Sequence, residues 1–485
     1  MNIVDSIFQR ANPNAIAIIS EDDSLTFGEL TQLVDTLTKQ MRDAGAFQSN
    51  GVARIGLSCP NGIAHVVLAL AILRGGGCLV PVAGELPARE RDALIRVTKV
   101  NAVLIGEGGM WQHPGGSTVQ IQCPRFCATL LFAMDEVANA PTEFDEADFA
   151  ALNPALIRFS SGTTGKSKGI VLSHETLLER ITVANHGLKI GPEDRVVWIL
   201  PMAHHFAVSI VLYLYHGATT ILVSAHLALD VLNAGRKHCG TILYAAPFHH
   251  NMLAGDLSGL DWPTLRLAVS TAAPLPSATA LAFQSRFGLP LAQGLGIIEV
   301  GLSILNTDAA HEKPGSIGRP QPGFTAELRD PDGGEVPDGE PGELFLRGPG
   351  MTDAYLIPWR TRQHILEDGW FRTGDLATKD ADGHLHLVGR THSVINVAGM
   401  KCFPEEIESV LCAHPEVRAA RVFGKAHPFL GSMPVAEIIA DNPEKPPSIP
   451  ALISHCRAAL AQYKIPVQFA FVEALPQTPS GKIKR

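Results

Sequence analysis

Short apolar runs alternate with stretches of helical periodicity over much of this 485-residue chain. A run at 53–58 precedes an apolar stretch of helical length at 63–73, and a third run follows at 77–81. Strands that alternate with helices become parallel neighbours, because each helix carries the chain back along the sheet. Further runs of strand length lie at 102–105, 195–200, 218–223, 241–245 and 265–270. The pattern predicts an α/β fold with layered, mostly parallel sheets and helices.

The length and two changes in sequence texture predict two domains. A chain of 485 residues exceeds what one hydrophobic core organises. After about residue 310, Gly and Pro turns separate short strands such as 342–348, which predicts a small β region. From residue 403 onward, strands at 419–423 and 435–439 lie between helices at 405–408 and 449–463, which is typical of a compact α+β unit. We therefore predict a large domain at 1–389 and a small α+β domain at 390–485.

Charge and cysteine usage favour small-molecule chemistry in a reducing compartment. The formal net charge of −9 gives no support for binding to nucleic acid or to an anionic membrane. The apolar stretch at 63–73 is too short to span a bilayer, and the first residues lack the basic start and apolar core of a signal peptide. Eight cysteines form neither a disulfide framework nor a CxxC zinc pattern. We expect a cytoplasmic protein without nucleic-acid or membrane partners, and the sequence does not indicate an oligomeric state.

The stretch SSGTTGKSKG at 160–169 predicts a phosphate-binding loop. Its glycines allow the backbone N–H groups to approach a phosphate closely, and its hydroxyls and lysines add donors and positive charge. It is not a Walker A loop, since only two residues separate Gly162 from Gly165. A flexible linker is the alternative, and the apolar runs at 155–159 and 170–172 argue against it. The candidate phosphate-binding residues are Ser160, Ser161, Gly162, Thr163, Thr164, Gly165 and Lys168.

Ten motifs in a fixed order give the chain a resemblance to a known family. They are LTFGEL (25–30), SSGTTGKSKG (160–169), LPMAHH (200–205), TAAPLP (271–276), QGLGIIE (293–299), GELFLRG (342–348), FRTGDL (371–376), GRTHSVINVAG (389–399), PEEIE (404–408) and LPQTPSGKIKR (475–485). With these motifs the chain resembles the adenylate-forming superfamily, which includes acyl-CoA synthetases, adenylation domains of peptide synthetases and beetle luciferases. The resemblance covers nearly the whole chain.

The resemblance implies a two-step ligase reaction that uses ATP and Mg²⁺. A carboxylate attacks the α-phosphorus of ATP, pyrophosphate leaves, and a nucleophile then captures the acyl-adenylate. Lys482 matches the lysine that bridges the carboxylate and the α-phosphate. The small domain is expected to be mobile and to swing about His392. Further nucleotide contacts are implied for Ala272, Ala273, Pro274, Gly294 and Leu295.

Three charged residues suit this chemistry independently of the resemblance. Asp375 offers two carboxylate oxygens to a ribose diol, and Arg390 adds a planar donor fork for the same sugar. Glu299 suits Mg²⁺, which takes carboxylate and phosphate oxygens together with water. Each acidic residue taken alone could equally be a solvated loop side chain.

The residues that would surround the acid predict a plain carboxylic acid as substrate. His204 matches the histidine that lies beside the carboxylate in acyl-CoA synthetases, and its neighbours from 201 to 209 include no acidic residue to hold an α-amino group. The expected wall is mostly apolar and fits an aryl, alicyclic or medium aliphatic acid, although ordinary core packing is the alternative for each member. By position the wall consists of Phe206, Val208, Thr271, Leu295, Gly296, Ile297 and Ser303.

Departures from the motifs leave the acceptor open. Leu295 and Ile298 replace an aromatic residue and a phosphate-contacting threonine. Asn396 and Ala398 occupy positions where many CoA ligases carry lysines, while Gly399 still leaves room for a pantetheine arm. The acceptor is either the thiol of CoA or a carrier protein, or the amine of an amino acid, as in the coronafacate ligases.

The third hypothesis is a nucleotide-binding regulator that has lost catalysis. It is suggested by Ile298, which replaces the phosphate-contacting threonine. Against it, the chain retains Glu299, Asp375, Arg390 and Lys482 together.

Overall fold

The structure is a computed structural model of the chain. It describes residues 1–21, 23–49, 51–84, 86–109, 117–132, 144–159, 168–224, 227–397, 400–427 and 431–476, with the backbone alone at 392, 396, 401 and 431. Strands are numbered β1 to β27 in chain order among these residues.

The first sheet forms around four parallel strands and is extended by antiparallel pairs on both sides. Its order is β20-β19-β9-β8-β4-β3-β5-β7-β6. The pairs β3–β4, β3–β5 and β4–β8 are parallel, whereas β8–β9, β9–β19 and β5–β7 are antiparallel. The strands are β3 Arg54–Ser58, β4 Cys78–Pro81, β5 Ala102–Gly106, β6 Thr118–Gln122, β7 Cys127–Phe132, β8 Pro154–Phe159, β9 Gly169–Ser173, β19 Ala354–Tyr355 and β20 Arg360–Thr361.

The second sheet is parallel from β1 through β14, with antiparallel strands at both edges. Its order is β16-β15-β14-β13-β12-β10-β11-β1-β2. The pairs β14–β15, β15–β16 and β1–β2 are antiparallel. The strands are β1 Ile16–Ser20, β2 Asp23–Thr26, β10 Arg195–Trp198, β11 Thr219–Leu222, β12 Ile242–Ala245, β13 Leu267–Ser270, β14 Leu291–Ile297, β15 Gly301–Asn306 and β16 Arg319–Pro320.

A layer of helices lies between the two sheets. The helix Ile63–Arg74 contacts strands of both sheets and is buried from His65 to Leu73, as expected for a helix that is apolar on all sides. The helix Phe27–Asp43 begins with a capping box between Thr26 and Glu29. Helices in this large domain are Ile3–Arg10, Phe27–Asp43, Ile63–Arg74, Ala88–Thr98, Glu146–Ala151, His174–Leu188, Met202–His205, Ile210–Tyr215, Ala228–Lys237, Pro247–Ala254, Ser277–Phe287 and Arg362–Ile365, with a 3-10 turn at Phe206–Val208.

A small antiparallel sheet follows the second large sheet. It consists of β17 Thr325–Arg329, β18 Gly342–Arg347, β21 Phe371–Lys379 and β22 Leu385–Arg390. The buried side of this sheet shares a core with Val300 and Ile304, so β15 of the second large sheet packs against it. This is the predicted small β region.

The C-terminal residues form an α+β unit with a core of its own, which includes Ile395, Ile407 and Ile438. Its strand order is β24-β23-β26-β25, and β27 pairs in parallel with β26. The elements after the 3-10 helix Thr391–Ser393 are β23 Ile395–Val397, β24 Met400–Cys402, helix Pro404–Cys412, β25 Val417–His427, β26 Gly431–Ala440, helix Ile449–Ala459, the 3-10 helix Gln462–Lys464 and β27 Gln468–Phe471.

The predicted fold class is confirmed, a layered α/β domain followed by a small α+β domain. The predicted helix at 449–463 is shorter than expected. It ends at Ala459 because Leu460 is extended, with φ −123° and ψ 148°, and a 3-10 turn replaces the last residues. The hairpins β6–β7 and β23–β24 were not predicted. Among the described residues, no helix combines the length and hydropathy needed to cross a membrane.

Candidate active site

Lys168, Tyr355 and Glu299 lie side by side where β9 pairs with β19. The pairing of β9 with β19 places Tyr355 opposite Ile170, so that Lys168 Nζ lies 4.6 Å from the centre of the Tyr355 ring. The Tyr355 hydroxyl lies 3.2 Å from Oε1 of Glu299. Burial, and then the charge of Glu299, raise the pKa of Tyr355 well above its usual range. The phenol therefore stays protonated and donates to the carboxylate.

A buried arginine fixes the backbone that carries Glu299. Arg180 donates from Nη1 to the carbonyl of Ile298 at 2.7 Å and from Nη2 to the carbonyl of Glu299 at 2.8 Å. Its Nε donates to the carbonyl of Gly350 at 2.6 Å. Burial lowers the pKa of Arg180 to about 9, with Asp353 and Glu299 opposing the shift, so the guanidinium is still charged at neutral pH. The Glu299 side chain is thereby presented from a rigid turn.

Asp375 and Arg390 face each other across β21 and β22. They are register partners, and Arg390 Nε lies 2.7 Å from Asp375 Oδ1. Asp375 is buried, while the Arg390 side chain keeps 40 % of its surface exposed and is open to a ligand. The hydroxyl of Thr391 donates to the carbonyl of Gly374 at 3.0 Å and so connects the residue after β22 to β21, next to Asp375.

His204 lies in a recess between the two large sheets. Asn61 fixes the turn that leads to it, since its amide donates to the carbonyl of Leu200 at 2.9 Å and its oxygen accepts from the N–H of Met202 at 2.8 Å. The recess is narrow in this structure. We call it the His204 recess; its lining residues are Pro81, Leu156, Arg158, Leu172, Met202, Ala203, His204, Phe206, Ala207, Val208 and Ile298.

The rest of the expected acid wall lies on and beside β14 and β15, outside the lining of the His204 recess. A β-bulge shifts the register from Leu295–Ile304 to Gly296–Leu302, and Ser303 is the extra residue. The buried hydroxyl of Ser303 has no hydrogen-bond partner among the described residues. A Cβ at Gly296 would lie 3.9 Å from the Thr271 hydroxyl, so these two positions adjoin.

Leu295 and Ile297 pack against the core beneath the small β sheet. The structure thus gathers His204, Phe206 and Val208 in the recess and does not add Leu295 and Ile297 to them.

The loop expected to meet the adenine follows β13. Ala272 has φ +71°, a left-handed conformation that costs a residue with a Cβ about 1 kcal/mol, as is common at ligand-binding turns. Ala273 and Pro274 are exposed, whereas Gly294 is buried on β14, where an added Cβ would lie 2.8 Å from Leu302.

Several sequence-predicted residues lie outside the described part of the chain. The structure describes only the backbone of His392, in the 3-10 helix Thr391–Ser393, and of Asn396, opposite Lys401 on β24. The residues outside it altogether are Ser160, Ser161, Gly162, Thr163, Thr164, Gly165, Gly399 and Lys482.

Sequence reasoning missed four residues of this region, namely Asn61, Arg158, Arg180 and Tyr355. The one local signal was a charged residue, Arg158, near the end of an apolar strand. Asn61, Arg180 and Tyr355 meet their partners only through the tertiary fold.

Two family models match most of the chain. Residues 7–356 match the family described as AMP-binding enzyme, and residues 406–482 match the AMP-binding enzyme C-terminal domain. The chain belongs to the AMP-binding enzyme family. Its resemblance to the adenylate-forming superfamily is confirmed, and this AMP-binding enzyme is an adenylate-forming acid ligase that uses ATP.

Two curated relatives indicate how widely the family varies. A feruloyl-CoA synthase from Amycolatopsis sp is 30% identical over 491 residues, which span 98% of this chain and 95% of the relative. A sulfoacetate–CoA ligase from Cupriavidus necator is 34% identical over 337 residues, which span 68% of this chain and 66% of the relative.

Solved structures share the whole fold of this AMP-binding enzyme. The o-succinylbenzoate CoA synthetase from Bacillus subtilis, solved with its acyl-adenylate, has a TM-score of 0.85 at 25% identity and covers 100% of this chain and 97% of its own. The amide bond synthetase from Marinactinospora thermotolerans has a TM-score of 0.83 at 24% identity, with 99% and 97% covered, and it shares the fold.

Proposed function

We propose that this AMP-binding enzyme uses ATP to adenylate a non-amino carboxylic acid beside the His204 recess and then transfers the acyl group to a thiol. The observation that carries the proposal is an unbroken series of contacts from the recess to Lys168. Ile298 lines the recess, and the next residue, Glu299, contacts Tyr355, whose ring lies against Lys168 of the phosphate loop. An acid in the recess and a triphosphate on the loop would therefore meet near Glu299.

The first step requires an ordered triphosphate and a charged carboxylate. Asp375 and Arg390 would hold the ribose, and residues 160–168 would hold the phosphates. The acid carboxylate attacks the α-phosphorus, a new P–O bond forms, and the bond to pyrophosphate breaks. Lys482 would stabilise the negative charge that develops between the two reactants. His204 would lie beside the carboxylate.

Glu299 is our candidate for the Mg²⁺ site. One oxygen of this carboxylate accepts from the neutral phenol of Tyr355, and Arg180 fixes the backbone that carries it. Carboxylate oxygens are among the ligands that Mg²⁺ prefers. When bound there, the ion would neutralise phosphate charge.

We propose residues 1–389 and 390–485 as the two domains, with the hinge at His392. Arg390 is the last residue of β22, and the 3-10 helix Thr391–Ser393 leads into the small domain. Rotation there would first deliver Lys482 and then bring the loop from Asn396 to Gly399 over the adenylate, since a few residues at an element end absorb such rotations.

For the second step we propose the thiol of CoA, or of a carrier protein, as acceptor. The sulfur attacks the carbonyl carbon of the adenylate, a thioester forms, and AMP leaves with its oxygen. Support comes from the feruloyl-CoA synthase relative, whose similarity extends over 98% of the chain. Gly399 would leave room for the pantetheine arm.

Asn396 and Ala398 favour an amine acceptor as the second candidate. An amino acid carries no phosphate groups, so it would not need the lysines that these positions lack. The amine would attack the same carbonyl carbon, an amide would form, and AMP would leave. A product assay with CoA and with amino acids distinguishes the two acceptors.

The acid is proposed to be an aryl, alicyclic or medium aliphatic carboxylic acid. Most of the recess lining is apolar, which suits the body of such an acid. Exchange of labelled pyrophosphate into ATP tests adenylation alone, without an acceptor. We expect exchange with at least one of benzoate, ferulate, cyclohexanecarboxylate, hexanoate, succinate and sulfoacetate. No exchange with any of them would contradict the proposed function.

A further inference from the structure

One side chain of the His204 recess is neither apolar nor accounted for by the family motifs. Arg158 is the penultimate residue of β8, after Pro154, Ala155, Leu156 and Ile157, all of which are buried. Leu156 and Arg158 lie on the same face of the strand, since side chains alternate along it, and both line the recess. The fold therefore directs the guanidinium of Arg158 into the recess that also contains His204.

One nitrogen of this guanidinium is unpaired among the described residues. That nitrogen is Nε, which is buried. Arg180 differs, because its Nε and both terminal nitrogens donate to carbonyls at 2.6 to 2.8 Å. A buried donor that stays unpaired is costly, and a buried charge more so. A ligand group that accepts from Arg158 would remove that cost.

The electrostatics of the recess favour an anion. Burial lowers the pKa of Arg158 to about 10, while the charge of Glu299 opposes the shift, so Arg158 is still a cation at neutral pH. Glu299 itself accepts from Tyr355. Apart from Arg158 and His204, the residues that line the recess carry apolar side chains. Ile298 offers no hydroxyl there, whereas the guanidinium of Arg158 can donate to an oxygen on that side.

We propose that Arg158 binds an anionic oxygen of the acid substrate, as a specificity-determining residue of the recess. The inference rests on the proposed function. That oxygen has two possible sources of the same chemistry: the carboxylate that reacts with ATP, or a second acidic group, carboxylate or sulfonate, elsewhere on the acid. The guanidinium fork matches either group, since it donates two parallel hydrogen bonds to a planar or tetrahedral oxyanion.

The test compares Arg158→Met and Arg158→Lys with wild type in pyrophosphate exchange, with KM for the acid and KM for ATP measured separately. The acids are benzoate, ferulate and hexanoate, with one acidic group, and succinate and sulfoacetate, with two. Arg158→Met should raise KM for the acid about 10- to 100-fold and leave KM for ATP unchanged, as expected when a hydrogen bond to a charged group is lost. Arg158→Lys should recover part of the loss.

The acid panel separates the two sources. An equal rise in KM for all active acids assigns Arg158 to the reacting carboxylate, and a rise confined to succinate and sulfoacetate assigns it to a second acidic group. An unchanged KM for every active acid, or a rise in KM for ATP alone, would overturn the proposal. Arg236→Met, at the exposed pair with Asp261, is the control. Thermal unfolding with and without ATP verifies that each variant is folded. A wild type that exchanges with no acid would instead contradict the proposed function.

Discussion

The hydroxyl of Tyr355 lies 3.2 Å from a carboxylate oxygen of Glu299. Tyr355 belongs to β19 of the first large sheet, and Glu299 follows β14 of the second. The contact therefore connects the two sheets between Lys168 and the His204 recess. It orients the carboxylate that we propose as the Mg²⁺ ligand.

Replacing Tyr355 by Phe should weaken the response to Mg²⁺. Without the phenol, Glu299 loses one donor and becomes free to rotate. The apparent Mg²⁺ constant of pyrophosphate exchange should then rise about 3- to 10-fold, less than for the loss of a direct hydrogen bond to a charged group, because the phenol only orients the ligand. KM for the acid should stay the same. Tyr215→Phe, at a tyrosine that stacks on Arg10, serves as the control. An unchanged Mg²⁺ titration would show that the contact does not support the metal site.

Asp375→Asn should weaken ATP binding. The change keeps the shape of the side chain but removes the charge that pairs with Arg390 and that would accept from the ribose hydroxyls. KM for ATP should rise about 10- to 100-fold, and KM for the acid should change little.

The matched control for Asp375→Asn is Glu343→Gln on the same sheet. Glu343 makes a two-fold contact with Arg372, at 2.8 Å for both hydrogen bonds, and has no proposed role in binding. The Glu343→Gln variant should have a lower unfolding temperature and an unchanged KM for ATP. An equal rise in KM for ATP in both variants would mean that sheet stability, and not ribose binding, explains the effect.

Lys482→Ala should separate the two half-reactions. Adenylation should fall about 100- to 1000-fold, since one well-placed donor is lost from the transition state. Thioester formation from a synthetic acyl-adenylate should continue near the wild-type rate, because the rotated small domain no longer uses Lys482. Lys484→Ala, two residues away, is the control and should retain both activities. Equal loss of both half-reactions in Lys482→Ala would contradict rotation about His392.

Buried histidines should make the large domain sensitive to acid. His250 is fully buried against the edge of Phe283, with Nε2 3.2 Å from the carbonyl of Val269. Burial lowers the pKa of His250 to about 4, whereas an unfolded chain takes up this proton near pH 6.5. The unfolded state binds more protons between these values. The stability from His250 is therefore complete above pH 6.5 and decreases as the pH falls towards 4.

At pH 5 this loss amounts to about 2 kcal/mol for His250. Urea denaturation at pH 7 and pH 5 measures it, and in His250→Gln the difference between the two pH values should shrink by about that amount. His311→Gln, at an exposed histidine, should leave the difference unchanged. The same pH difference in His250→Gln and wild type would show that His250 is not the source.

The fold was predictable from sequence where the determining interactions are local. The apolar helix Ile63–Arg74 and its flanking strands could be predicted because burial on all sides leaves an uninterrupted apolar run. The helix at 449–463 was overextended because no Gly or Pro marks its end; the extended Leu460, buried against the core, terminates it instead.

The candidate site was predictable only in part, for a related reason. Motif residues such as Glu299 and Asp375 stand in recognisable strings, but their partners are distant in sequence. Tyr355 is 56 positions from Glu299, and Arg180 is 119 positions from it. The position of Arg158 in the recess could not be predicted either. In a strand as short as β8, the sequence does not show which face lines the recess. Such neighbours follow from the packing of the two sheets.

The most direct test of the proposed function is a product assay by mass spectrometry. Purified protein, ATP and Mg²⁺ are incubated with an acid that supports pyrophosphate exchange, in three parallel reactions that contain CoA, a mixture of amino acids, or neither. We predict an acyl-CoA and one AMP per acyl-CoA in the first reaction, with no N-acyl amino acid in the second. N-acyl amino acids without any acyl-CoA would contradict the thiol acceptor and identify the protein as an amide ligase.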